Sequence, residues 1–94
     1  MAGGRFGQDG LSQWNRITTN ATTTIKTGSG VLRRILINKA GTTGNIATVN
    51  VDGNTVAAID TTVVRPLEFN IPFSASLSVV TATGTAGELT VLYN

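Results

Sequence analysis

The sequence predicts an all-β protein, a jelly-roll-like β-sandwich of seven or eight short antiparallel strands preceded by an extended N-terminal arm. Three observations predict it. Threonine is the commonest residue and glycine the next, and β-branched side chains between glycine turns are strand composition. Turn signals recur about every 8 to 12 residues, the spacing of a sandwich or jelly roll. No window carries the apolar period of a helix. At 94 residues the chain makes one domain, whose folding buries only about 60 to 65% of the unfolded surface. With 40% hydrophobic but 5% aromatic residues, its core is built from Val, Ile, Leu and Ala, and oligomerisation is a natural source of further buried area.

Residues 1–15 differ from the rest, with four glycines, no alternation, and Arg5, Phe6, Leu11 and the single tryptophan, Trp14. They read as an extended arm, disordered in a free monomer or laid on a partner surface, with Phe6, Leu11 and Trp14 as anchors and Arg5 and Arg16 available to acidic groups. The sandwich takes residues 16–94. Ile17 and Ile25 are the apolar points of a threonine-rich stretch suited to a sheet edge. After the turn Gly28-Ser29-Gly30 comes the densest strand, Val31 to Asn38. Strict alternation places Val31, Ile35 and Ile37 with Arg33 on one face, and Leu32 and Leu36 with Arg34 on the other. Both faces are apolar, so the strand lies either centrally in a double layer or against a second subunit.

Residues 45–51 and 55–60 form the clearest hairpin, turned by Asp52-Gly53-Asn54. An even-length turn groups Val49, Val51, Val56 and Ala58, and leaves Ile46 and Ile59 on the opposite face. Leu67, Phe69, Ile71 and Phe73 alternate inward on a strand that Pro66 opens and Pro72 closes, so that it either borders an edge or ends at Pro72. Residues 76–82 and 88–93 form another hairpin around Thr83-Gly84-Thr85-Ala86-Gly87, with Leu77 and Val79, then Leu89, Val91 and Tyr93, as the inward sets. The unmatched apolar side chains, Leu32 and Leu36 beside Arg34 together with Ile46 and Ile59, predict an oligomer interface.

The chain contains no histidine and no cysteine, which excludes the usual general bases, thiol nucleophiles and most zinc sites. Of the five carboxylates, Asp9 and Asp52 each precede glycine, which is turn chemistry and not a hydrolase pair. Asp52, Asn54 and Asp60 lack the spacing of a calcium loop. The sequence therefore predicts no enzyme, no metal and no cofactor. Formal charge is only +2 and 13% of residues are charged, half the usual fraction. On an alternating strand Arg33 and Arg34 point apart, so no nucleic-acid patch is expected, and each arginine is expected to pair with a carboxylate. No apolar run approaches the roughly 20 residues of a membrane span, and no signal-peptide core is present.

The run Ile17-Thr18-Thr19-Asn20-Ala21-Thr22-Thr23-Thr24-Ile25-Lys26-Thr27-Gly28-Ser29-Gly30-Val31-Leu32, with Ile35-Leu36-Ile37-Asn38-Lys39, Ala58-Ile59-Asp60-Thr61-Thr62 and Leu89-Thr90-Val91-Leu92-Tyr93, resembles small β-sandwich virion proteins of tailed bacteriophages. The resemblance spans residues from about Arg16 onward, consists of framework residues, and is nearest to capsid decoration (cement) proteins. It implies a homo-oligomer, a trimer, assembled in the host cytoplasm and seated on the capsid outer surface against the major capsid protein of a phage head. The rival reading is a carbohydrate or host-surface binding module on a head or tail fibre. That reading needs exposed aromatic platforms, and Phe6, Trp14 and Tyr93 are scattered along the chain.

Overall fold

The computed structural model describes residues 4–5 and 13–94. Nine strands lie among the described residues: β1 (Gly4–Arg5), β2 (Gln13–Ile17), β3 (Thr22–Thr27), β4 (Gly30–Lys39), β5 (Ile46–Val51), β6 (Asn54–Asp60), β7 (Arg65–Phe73), β8 (Ser76–Ala82) and β9 (Glu88–Tyr93). They form two antiparallel sheets, β1-β2-β9-β4-β7 and β3-β8-β5-β6. Without the two-residue β1 this is the strand order of a jelly roll, in which the chain crosses between sheets at nearly every connection and only β5 and β6 are joined as a hairpin; β8 and β9, expected as a second hairpin, lie in different sheets and are joined by a crossover. The expected all-β sandwich is the fold observed.

The core lies between the sheets. From the first sheet come Ile17, Leu32, Ile35, Ile37, Phe73, Leu89, Val91 and Tyr93, and from the second Ile25, Ala47, Val49, Val51, Ile59, Leu77 and Val79, all buried. Leu67, Phe69 and Ile71 pack against this cluster from β7. β7 is an edge strand, as its two prolines require. β3 is the edge strand that its threonines predict.

Two β-bulges correct the expected faces. On β4, Leu32 pairs with Tyr93 and Arg34 with Leu92, so one residue of β4 is extra against β9. A bulge shifts the alternation by one. Leu32, and not Val31, therefore joins Ile35 and Ile37 inside, and it is fully buried. In the β5–β6 hairpin the turn is the two residues Asp52 and Gly53, both at positive φ (53° and 82°), the type I′ conformation that matches strand twist. Beyond it Asn50 pairs with Thr55 but Val49 pairs with Ala57, leaving Val56 extra. Val56 is consequently exposed at 44% and Ile59 is buried, the reverse of the arrangement expected from an unbroken ladder. Leu32 and Ile59 thus belong to the protein's own core and are unavailable to an oligomer interface.

A polar cluster closes one end of the sandwich. Asn45 and Thr61 are buried at 1% and 0% exposure. The Asn45 amide donates to Asn20 Oδ1 at 2.8 Å and to the Thr83 carbonyl at 2.7 Å, and its Oδ1 accepts from Thr61 Oγ1 at 2.6 Å. Buried polar atoms are tolerated only when paired in this way. Among the described residues no buried side-chain nitrogen or oxygen lacks a partner.

Candidate functional site

The two outer faces of the sandwich have opposite chemistry. On the β3-β8-β5-β6 sheet, cross-strand pairing sets Asp60, Ile46 and Ala82 in one row, Ala58, Thr48, Val80 and Thr22 in the next, and Thr55, Asn50, Ser78 and Thr24 in a third. Asp60 is the one charged residue in these rows, and it sits at a corner. Its carboxylate accepts from the Thr62 N–H at 3.0 Å and from the Thr62 hydroxyl at 2.8 Å. These bonds, with the nearby Arg65 guanidinium, hold its carboxyl below the ordinary value. The remaining residues of these rows are uncharged and mostly small. Ile46, Thr48 and Val80 at its centre are half-buried by their neighbours.

The outer face of the other sheet carries charge. One row runs Glu68, Arg34, Leu92, Trp14 and the next runs Pro66, Leu36, Thr90, Arg16. Arg34 Nε meets Glu68 Oε2 at 2.7 Å, and Arg16 pairs with Glu88. These are exposed pairs, each adding at most about 1 kcal/mol.

The β4 bulge adds a cleft to this face. Arg33 is the extra residue between the Leu32–Tyr93 and Arg34–Leu92 pairs, and both arginines are exposed and line one cleft. This corrects the expectation that they point apart. β7 follows with an extra residue of its own across Phe69 and Asn70, and Asn70 takes φ 58°, a left-handed conformation that asparagine tolerates better than most residues. The result is an open cleft of about 390 Å³ lined by Arg33, Arg34, Glu68, Asn70 and Leu92. Arg34 has the expected carboxylate partner. The Arg33 guanidinium reaches Asn70 Oδ1 only at 3.4 Å, a weak contact.

The remaining residues singled out in the sequence separate. Ile46 centres the uncharged face, whereas Leu36 and Arg34 lie on the charged one, so the five residues expected to form one oligomer interface are divided among two faces and the core. Trp14 and Arg16 belong to β2, which begins at Gln13. Residues 13–15 are accordingly sandwich framework and not arm. Arg5 falls in β1, paired with Gln13. Phe6 and Leu11 lie outside the described residues. Asp52 is a structural turn residue: its carboxylate accepts from the N–H groups of Ala75 at 2.7 Å, Ser74 at 3.1 Å and Ser76 at 3.1 Å. The Ala75 bond first, then those of Ser74 and Ser76, hold the Asp52 carboxyl below its ordinary value of 3.8.

Sequence reasoning missed the cleft and the Asn45 cluster. Two adjacent arginines inside an apolar strand were the available signal for the cleft, since unbroken alternation would bury one of them. Asn45 carried no signal, because nothing local distinguishes it from the other polar residues of its loop. The chain matches no protein-family model, no curated protein and no solved structure.

Proposed function

We propose that this protein is a non-enzymatic virion protein, a capsid decoration or cement subunit that assembles as a trimer and bridges neighbouring capsid subunits on the outside of a tailed-phage head. The observation that carries the reading is the uncharged outer face of the β3-β8-β5-β6 sheet. An uncharged surface of Ile46, Val80, Ala58 and threonine side chains loses little solvation when covered, and charged residues are depleted at the centres of protein interfaces in the same way. The occupant of this face is other copies of the chain. The N-terminal segment, with Arg5, Phe6, Leu11, Trp14 and Arg16, is left for the capsid. The resemblance of residues 17–32 and the later strands to phage decoration proteins supports the same assignment.

Mass action gives such a subunit its effect. A protein that binds only the assembled shell stabilises it by RT ln(1 + [L]/Kd) per site, about 2.7 kcal/mol when free subunit is a hundredfold above Kd. Summed over the sites of a capsid, a modest affinity resists internal pressure. The test is to incubate purified protein with phage heads that lack it, pellet the heads, and count bound copies against the major capsid protein. Saturable binding at a fixed copy ratio, with heads made more resistant to heat, is the expected result. Failure to sediment with heads overturns the assignment.

A further inference from the structure

We propose that the cleft between β4 and β7, on the charged face and away from the uncharged face that joins copies of the chain, is a binding site for an acidic saccharide, a uronic or sialic acid residue. Three features of the cleft converge on that chemistry. The first is the pair of bulges. β4 and β7 each carry an extra residue at the same level, and bulges of this kind re-aim side chains beside sites. Here they bring Arg33 out beside Arg34. The second is charge. Glu68 neutralises Arg34 at 2.7 Å, while among the described residues Arg33 is held only by the 3.4 Å contact to Asn70, so the cleft offers one guanidinium fork to a carboxylate.

The third feature decides between a sugar and an acidic peptide. A carboxylate side chain needs donors alone and leaves the acceptors of the cleft unused. A sugar acid also presents hydroxyls, which need acceptors as well as donors, and an apolar ring face. Glu68 and Asn70 supply the acceptors, the Asn70 amide a further donor. Leu92 forms an apolar floor, and Trp14 stands opposite Leu92 on β2. Trp14 and Arg34 flank Leu92 in one row, about 10 Å apart at two strand spacings, a span that one or two pyranose rings cover.

The test is titration of the full chain, labelled with 15N, with D-glucuronate, N-acetylneuraminate, D-glucose, inorganic phosphate and a poly-glutamate peptide. A sugar acid of about 13 non-hydrogen atoms at ordinary ligand efficiency gives a dissociation constant on the order of 1 mM. The amide signals of Arg33, Asn70 and Leu92 are expected to shift with the sugar acids and not with glucose. Arg33→Ala weakens binding about tenfold or more, the loss of a charge-assisted pair, and Arg33→Lys restores part of it. Asn70→Gly keeps the left-handed backbone and loses the amide contacts, so it weakens binding without unfolding the sheet. The proposal is overturned if neither sugar acid shifts those signals, if Arg33→Ala binds as the parent does, or if phosphate or poly-glutamate binds at the cleft as tightly as the sugar acids.

Discussion

Replacing Asn45 by alanine removes the side chain that ties three loops at one end of the sandwich. Its amide and carbonyl make three short bonds, to Asn20, Thr83 and Thr61, between 2.6 and 2.8 Å. Each such bond contributes about 1 kcal/mol net. The Thr61 hydroxyl keeps a partner in the Asn45 backbone carbonyl at 3.2 Å, so no buried donor is stranded there and the loss stays near the simple sum. The expected destabilisation is about 3 kcal/mol, a large part of the roughly 5 to 15 kcal/mol available to a domain. For a chain of this size that lowers Tm by about 12 to 24 °C. Scanning calorimetry at one fixed protein concentration measures it, with Asn38→Ala as the comparison, since Asn38 makes a single exposed bond to Thr90. A drop below about 4 °C for Asn45→Ala, or one no larger than for Asn38→Ala, would refute the view that this cluster holds the loops.

Other substitutions read other parts of the fold. Leu32→Ala, at a site with no exposed surface, is expected to cost about 2 to 5 kcal/mol in urea unfolding; a loss below 1 kcal/mol would return Leu32 to a subunit interface. Asp52 has its folded pKa lowered, so its contribution is fully present above the unfolded value near 3.8 and is lost as pH falls through the lower folded value. Asp52→Asn should therefore flatten the stability profile below about pH 4, and an unchanged acid slope would show that the carboxylate does not anchor residues 74–76. Gly87→Ala places a Cβ 2.0 Å from the Lys39 carbonyl oxygen, against backbone that cannot swing aside. It should cost more than about 1 kcal/mol and lower Tm by at least about 4 to 8 °C, and a wild-type melt would mean that β4 and β9 are not held this closely.

How legible the fold was depended on whether a residue's neighbours in sequence were also its neighbours in space. Leu77, Val79, Leu89, Val91 and Phe73 alternate without interruption, and all five are buried where alternation puts them. The edge position of β7 followed from two prolines, and the I′ turn from Asp52-Gly53. The bulges were not legible. At Arg33 and Val56 a single unpaired residue reverses every face assignment beyond it, and the choice between a bulge and an unbroken ladder depends on partners in β9 and β5. That is why Leu32 and Ile59 looked like unmatched surface and are core. The cleft was missed for the same reason. The Asn45 cluster joins residues 25 and 38 positions away, a relation that only the closed sandwich creates.

The claim that the uncharged face joins copies of the chain is tested most directly by light scattering of the parent and of Thr48→Lys across micromolar concentrations. Thr48 lies at the centre of that face between Val80 and Ala58. A lysine there can extend its amine to water in the monomer but would bury an unpaired charge in an interface. The account predicts a trimer for the parent and a folded monomer for the variant. A monomeric parent, or a trimer that survives Thr48→Lys, would contradict it.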